Sequence, residues 1–312
     1  MNWTPLFRTT PDSAFLWLIS LLILIIGLSD QVRAQSGVVM PPSPILSASS
    51  RLEDAGCDLL QASALPRKLA QKNLSQQRAE YARGSRLAAD VEQNYELVTD
   101  DAIIRYLNRL EQTLTGSSQL SGCFVVKVLS DSEPNAYSLP GGFIYLTTGL
   151  IDVIENEGEL VAALAHETAH VTARHQTRFD AQARVWGRLA LVGGPAGYAL
   201  RRYLGPLVAS KLVRNEEFEA DRVGLRYDVA SGYDPVEFSR LLQTAFSDEG
   251  EESFLDRLYD THPPTKTRIQ RLQKDTRLLL APESSYIANT GEFADVKMRL
   301  AKIMAARRNP KP

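Results

Sequence analysis

The residues best suited to chemistry are two histidines and a glutamate in the sequence HETAH at positions 166–170. On a helix, residues four apart share one face with Cβ atoms roughly 6 Å apart, so His166 and His170 can offer ring nitrogens to one ion. Glu167 then lies beside that ion, where it can take a proton from a water molecule. The H-E-x-x-H spacing therefore predicts a zinc site on a helix, with Glu167 as general base.

A catalytic zinc ion usually has a third protein ligand and leaves one position to water. The sequence EEFEAD at 216–221 places Glu217 and Asp221 four residues apart on one face of a second predicted helix. Glu217 is the candidate third ligand, although spacing alone leaves the neighbouring carboxylates Glu216 and Glu219 open. Asp221 is placed to accept the ring proton of a ligand histidine and so to set its tautomer.

Helical periodicity indicates the elements that carry these residues. Apolar residues at helical spacing predict a helix from about 158 to 176, which holds both histidines. A polar, helix-favouring run extends from about 65 to 94, and an apolar stripe predicts a packing helix at 100–114.

Short β-branched and aromatic runs indicate a small sheet before the site helix. Residues 123–129 read as one strand, and 135–149 as a second strand region with Pro-Gly-Gly as its turn and 143–148 as its extended part. The fold class predicted from these elements is α+β and mainly helical.

The stretch 186–213 is apolar and glycine-rich and lies between the two site segments. Arg188, Arg201 and Arg202 interrupt it, so it lacks the roughly 20 uncharged apolar residues of a membrane-spanning helix. We expect a buried helical hairpin or a lid over the cleft instead.

The N-terminal residues resemble an export signal. Arg8 precedes an apolar run at 14–28, and small or apolar residues stand at Val32 and Ala34, the positions that a signal peptidase reads. The run is about 15 residues, shorter than the roughly 20 that cross a bilayer, so residues 1–34 are predicted to be a cleaved signal peptide. The alternative is an uncleaved N-terminal anchor. Residues 35–64 are expected to form a flexible lead-in.

Composition is typical of a globular chain. The 35 basic and 37 acidic side chains of its 312 residues give a formal net charge of −2, so no overall field attracts nucleic acid.

Residues 65–280 form the predicted domain, and 281–312 are expected to be a solvated helix and tail outside the main body. Cys57 and Cys123 either pair after export or stay buried thiols.

Three motifs resemble those of the zinc metallopeptidase family that includes HtpX, BepA, LoiP and the CAAX prenyl endopeptidases. They are NAYSLPGG at 135–142, HETAH at 166–170 and EFEAD at 217–221, in the family's order, and the likeness spans about 76–275. The resemblance implies a zincin-like metallopeptidase domain of gluzincin type, with a small β-sheet edging the active-site cleft and one Zn²⁺ per chain. The family's third ligand falls on Glu217.

The resemblance also implies roles outside these motifs. His262, followed by two prolines and then by Arg268, is similar to a family histidine that can fill the open metal position, so it is a catalytic or gating candidate. The alternative is that His262 caps a turn before a helix. The family's edge strand, which binds extended substrate through main-chain hydrogen bonds, is matched by four residues, Phe143, Ile144, Tyr145 and Leu146.

Together these resemblances imply a periplasmic endopeptidase whose partners are polypeptides, in particular unfolded or misassembled envelope proteins, with peripheral contact to the membrane. The alternative is a periplasmic chaperone or assembly factor whose zinc site is latent because His262 closes it. No 34-residue repeat follows residue 275, so partner binding through tetratricopeptide helices is not expected.

Overall fold

The computed structural model describes residues 67–117, 124–246, 266–280 and 285–308. They belong to one compact unit, Cys57–Pro312, whereas the second unit, Met1–Gly56, lies outside the described residues. The predicted signal peptide and lead-in, the two cysteines and His262 also lie outside them. Among the helices described, none is both long enough and apolar enough to cross a bilayer.

Helices dominate the described chain, and a small sheet interrupts them. In chain order the elements are α1 (Arg67–Asn94), α2 (Asp101–Ser117), β1 (Val125–Leu129), β2 (Ala136–Leu139), β3 (Phe143–Thr147), α3 (Thr148–Val153), α4 (Glu157–Thr172), α5 (His175–Val192), α6 (Gly194–Ala230), α7 (Pro235–Phe246), α8 (Lys266–Leu279) and α9 (Glu292–Arg308). The predicted fold class, α+β and mainly helical, is confirmed. The stretch 186–213 forms the end of α5 and the first part of α6, and its role as a buried hairpin or as a lid stays a prediction.

The sheet has the strand order β1, β3, β2, so β3 is its central strand. β3 runs parallel to β1 and antiparallel to β2, with Tyr145 opposite Tyr137. The prediction that Phe143, Ile144, Tyr145 and Leu146 form an edge strand is therefore wrong, because neighbours are hydrogen-bonded along both sides of β3. Every residue of β3 is buried, as a central strand covered on both faces requires.

Glycine makes the turn between β2 and β3, where the sequence is Pro-Gly-Gly. Gly141 and Gly142 have φ angles of 85° and 98°, which L side chains rarely adopt. A Cβ atom on Gly141 would also lie 2.5 Å from Cα of Tyr81 in α1. The turn is therefore packed directly against α1, and this contact holds β2 in place.

The core lies between the sheet and the helices that surround α4. Every residue from 157 to 169 in α4 is buried, so this helix is the centre of the described fold. Phe293, Val296 and Leu300 of α9 are buried in the same apolar cluster as α4. The expectation that the last helix lies outside the main body is therefore wrong. Arg299 of that helix also pairs with Asp100 at 2.7 Å.

Candidate metal centre and active site

Both predicted histidines lie in the last two turns of α4. The helix begins after Asn156, whose side chain accepts a hydrogen bond of 2.9 Å from the backbone N–H of Glu159. Because α4 is buried on all sides up to residue 169, His166 is only 8% exposed. Packing of the helix therefore directs the histidine side chains before any metal binds.

His166, His170 and Glu217 converge at this end of α4. The Nε2 atoms of the two histidines lie 3.0 Å apart, and each lies 3.4 Å from an oxygen of the Glu217 carboxylate. One potential ligand atom from each residue lies within 4.8 Å of the others. Two imidazole nitrogens and one carboxylate oxygen are a donor set that catalytic zinc sites use. The three residues that were predicted as ligands from the sequence therefore fit a metal site.

A glycine in α6 brings Glu217 to the histidines. A Cβ atom on Gly224 would lie 3.0 Å from the carbonyl oxygen of Ala165 and 3.1 Å from the backbone nitrogen of His166. Because glycine has no side chain at this crossing, α6 approaches α4 closely. Glu217, two turns earlier on α6, then faces the two imidazoles and is 3% exposed.

Asp221 and Arg268 support the side of the site formed by His166. Oδ1 of Asp221 lies 3.2 Å from Nδ1 of His166, where the sequence analysis expects it. Arg268 of α8 donates from Nε and Nη2 to the two oxygens of Asp221, at 2.8 and 2.7 Å, and its Nη1 lies 2.9 Å from Oε2 of Glu217. The role of Arg268 is not apparent from the sequence, since nothing local shows that its guanidinium is buried there.

The charges around His166 favour a cation. Burial by itself lowers the pKa of His166, but hydrogen bonds to Asp221 and Glu217 raise it to about 9. Burial raises the pKa of Asp221, yet the hydrogen bonds and charge of Arg268 hold it below its usual value. An ionised Asp221 next to the ring favours positive charge on the other side of that ring, which a metal ion supplies. The electrostatics therefore agree with the donor set.

A third histidine, His175, belongs to the site and was missed by the sequence analysis. It begins α5, is 3% exposed, and places Nδ1 2.8 Å from Nδ1 of His170. Its Nε2 lies 3.3 Å from Oε2 of Glu219, which also accepts a hydrogen bond of 2.8 Å from Arg178. Burial lowers the pKa of His175 and so favours the neutral ring. The available signal was composition, because three of the four histidines lie between positions 166 and 175.

Glu167 lies where two cavities meet, and it is 2% exposed. The smaller cavity, about 50 Å³, is mainly apolar and includes Leu150 and Phe238 beside His166. The larger, about 530 Å³, is a groove between the turn after β2 and the start of α5. The β2 residues Tyr137, Ser138 and Leu139 line this groove together with Glu167 and His170. β2, and not β3, therefore borders the candidate active site.

A buried acid lies behind the HETAH segment. Thr168 donates a hydrogen bond of 2.8 Å to Oε1 of Glu111, which is 1% exposed in α2. Burial raises the pKa of Glu111 to about 8, so the side chain is mostly protonated at neutral pH. This contact fixes the face of α4 opposite the histidines.

Comparison with known sequences identifies relatives of this domain. Residues 100–276 match the sequence profile of Peptidase family M48. The mitochondrial metalloendopeptidase OMA1 of Schizosaccharomyces pombe is 28% identical over 174 residues, which cover 54% of this chain and 52% of that protein. The beta-barrel assembly-enhancing protease of Yersinia pestis is 25% identical over 245 residues, or 74% of this chain and 50% of that protein. The chain thus spans about half the length of these curated relatives.

Proposed function

Because the chain belongs to peptidase family M48, we propose that it is a zinc-dependent endopeptidase that cleaves unfolded or misassembled proteins in the bacterial envelope. The observation that carries this proposal is the convergence of His166, His170 and Glu217 within 4.8 Å, next to the buried Glu167. These three residues would hold one Zn²⁺ ion per chain, which would lower the pKa of a water molecule and polarise the substrate carbonyl.

Glu167 is the general base in this proposal. It follows His166 directly, and it lines both cavities, so its carboxylate can reach a water molecule beside the scissile bond. The carboxylate takes a proton from that water and later returns it to the leaving amine. Positioned proton transfer of this kind contributes about 10²- to 10⁴-fold to a rate.

In this proposal the substrate binds to β2, and not to β3 as the sequence suggests. Within the described residues β2 pairs only with β3, so its other edge faces the groove. The backbone N–H of Thr147 donates to the carbonyl of Asn135, and antiparallel pairing alternates, so the main-chain groups of Tyr137 point to β3 and those of Ser138 point away. An extended peptide can therefore pair with Ser138.

Pairing along β2 recognises the substrate mainly through hydrogen bonds to its backbone and less through its side chains. The apolar cavity beside His166 adds a preference, since Leu150, Phe238 and Leu242 can contact one apolar side chain near the scissile bond. Extended segments with exposed apolar residues are a property of unfolded chains. These features support a quality-control substrate class.

The cellular setting is supported by relatives and by the N-terminal sequence. The Yersinia pestis relative and an Escherichia coli relative, 26% identical over 188 residues, are named beta-barrel assembly-enhancing proteases. We infer that this chain acts on envelope proteins as a periplasmic enzyme exported by its predicted signal peptide.

The decisive experiment compares wild type with Glu167→Gln and His166→Ala. We expect Glu167→Gln to retain stoichiometric zinc and lose cleavage of casein, and His166→Ala to lose both. Circular dichroism and thermal unfolding check that each variant is folded. If Glu167→Gln cleaves casein as fast as wild type, the proposed mechanism is wrong. If zinc-loaded wild type cleaves nothing while a partner co-purifies, the assembly-factor alternative is correct instead.

A further inference from the structure

His170 contacts a second imidazole on the side away from Glu217. Its Nδ1 lies 2.8 Å from Nδ1 of His175, and Nε2 of His175 lies 3.3 Å from Oε2 of Glu219. Glu219 is half exposed and accepts a hydrogen bond of 2.8 Å from Arg178. A continuous row of polar contacts therefore leads from the candidate metal site to the surface of α5 and α6.

The direction of each hydrogen bond in this row follows from the chemistry of imidazole. A neutral ring has one N–H, so a histidine that gives Nε2 to a metal carries its proton on Nδ1. In His170 that proton points at Nδ1 of His175, which must accept it. His175 then carries its own proton on Nε2 and donates it to the Glu219 carboxylate. The row has no conflicting donors, and a carboxylate at its end stabilises this arrangement.

The backbone before His175 is shaped to place it there. Arg174 has a φ of 57°, which makes it the one non-glycine residue with positive φ in the described part of the chain. Such a conformation is held only when the surrounding structure requires it. Nε of Arg174 lies 3.3 Å from the Glu80 carboxylate of α1, and this contact helps to hold the turn. This turn lies between α4 and α5 and places His175 against His170.

We propose that His175 is a positioning residue for the metal ligand His170: it holds the proton of His170 on Nδ1 and fixes the ring orientation, with Glu219 as its own anchor. The inference rests on the proposed function, because it concerns the same metal site. Asp221 plays the corresponding part for His166, through a carboxylate instead of an imidazole.

The test compares His175→Leu and His175→Gln with wild type. Leucine fills similar space but neither accepts nor donates, whereas the glutamine amide can do both. Zinc affinity is measured by competition with a chromophoric chelator, and the geometry of the site by the absorption spectrum of bound Co²⁺. We expect His175→Leu to weaken zinc binding about 10- to 100-fold and change the Co²⁺ spectrum. His175→Gln should restore most of the affinity.

A purely structural role predicts another result, namely that both variants lose thermal stability without metal and keep the affinity of wild type. Zinc affinity of His175→Leu within twofold of wild type overturns the proposal, and so does a failure of glutamine to improve on leucine. If His175→Leu does not fold, Glu219→Ala takes its place, because Glu219 is exposed. The Glu219→Ala variant should bind zinc more weakly than the matched variant Asp90→Ala, which removes an exposed carboxylate of α1. Equal zinc affinities of these two variants overturn the proposal.

These outcomes differ from failure of the proposed function. Wild-type protein that binds no zinc at all refutes both. Wild type that binds zinc and cleaves casein, with an unaltered His175→Leu site, refutes the positioning role alone.

Discussion

Arg268 donates two hydrogen bonds to Asp221, of 2.8 and 2.7 Å, and so joins α8 to α6 directly behind the candidate metal ligands. The same guanidinium reaches Oε2 of Glu217 at 2.9 Å. Arg268 is 2% exposed, so these charges are paired away from water. The site is thus supported by an ion-pair network that spans separate segments of the chain.

Replacing Arg268 by methionine should strongly destabilise the fold. The change leaves the carboxylates of Asp221 and Glu217 without their buried cation, and breaking a buried pair in this way costs about 3 to 5 kcal/mol. Urea unfolding of metal-free protein measures the effect. Arg105→Met is the matched control, since Arg105 is exposed in α2 and should change stability by less than about 1 kcal/mol. Equal losses in the two variants would contradict the network.

Glu111→Gln should change how stability depends on pH. Burial raises the folded-state pKa of Glu111 from 4.5 to about 8, so the unfolded chain releases this proton first as pH rises. The stabilisation that Glu111 adds to the folded state is therefore fully present below pH 4.5 and is lost between that value and about pH 8. Glutamine keeps an oxygen for the hydrogen bond from Thr168 and cannot ionise.

Unfolding free energies at pH 5, 6.5 and 8.5 provide the measurement. The unfolding free energy of the variant relative to that of wild type should increase as pH rises, by at least about 1 kcal/mol across this range. Parallel pH profiles for the two proteins would show that Glu111 does not titrate in the folded state as described.

Ser138→Pro should reduce cleavage of casein without reducing bound zinc. Proline removes the one backbone N–H of Ser138, which points to the edge of β2 that does not pair with β3, and an edge strand tolerates proline at such a position. Ser138→Ala removes the hydroxyl but keeps that N–H, so it should cleave as wild type does. Unchanged activity of the proline variant would show that substrate does not pair with β2.

Gly224→Ala should destabilise the protein, whereas Gly116→Ala should not. The added Cβ meets the carbonyl oxygen of Ala165 at 3.0 Å in the first case and nothing within 4 Å in the second. Overpacking costs about 1 to 3 kcal/mol, whereas an unhindered Gly→Ala change in a helix stabilises by about 0.4 to 1 kcal/mol. Thermal unfolding together with zinc titration tests both effects, since a displaced α6 also moves Glu217. Identical melting shifts in the two variants would rule out the close helix crossing.

The sequence by itself determined the local parts of this design. His166, Glu167 and His170 lie within one turn and a half of a single helix, so their relation depends only on helical geometry. Glu217 and Asp221 likewise share a face of one helix, and the family resemblance indicated which carboxylate to choose. Apolar spacing was sufficient to predict α2 and α4, and a polar, helix-favouring run to predict α1.

Tertiary structure decided everything that joins segments distant in the chain. The order of the strands made β2 the edge, because β-branched runs predict strands but not their neighbours. The approach of α6 to α4 at Gly224, the burial of Arg268 between two carboxylates and the contact of His175 with His170 depend on how helices cross. Such contacts arise from packing of whole apolar faces, which local spacing does not encode.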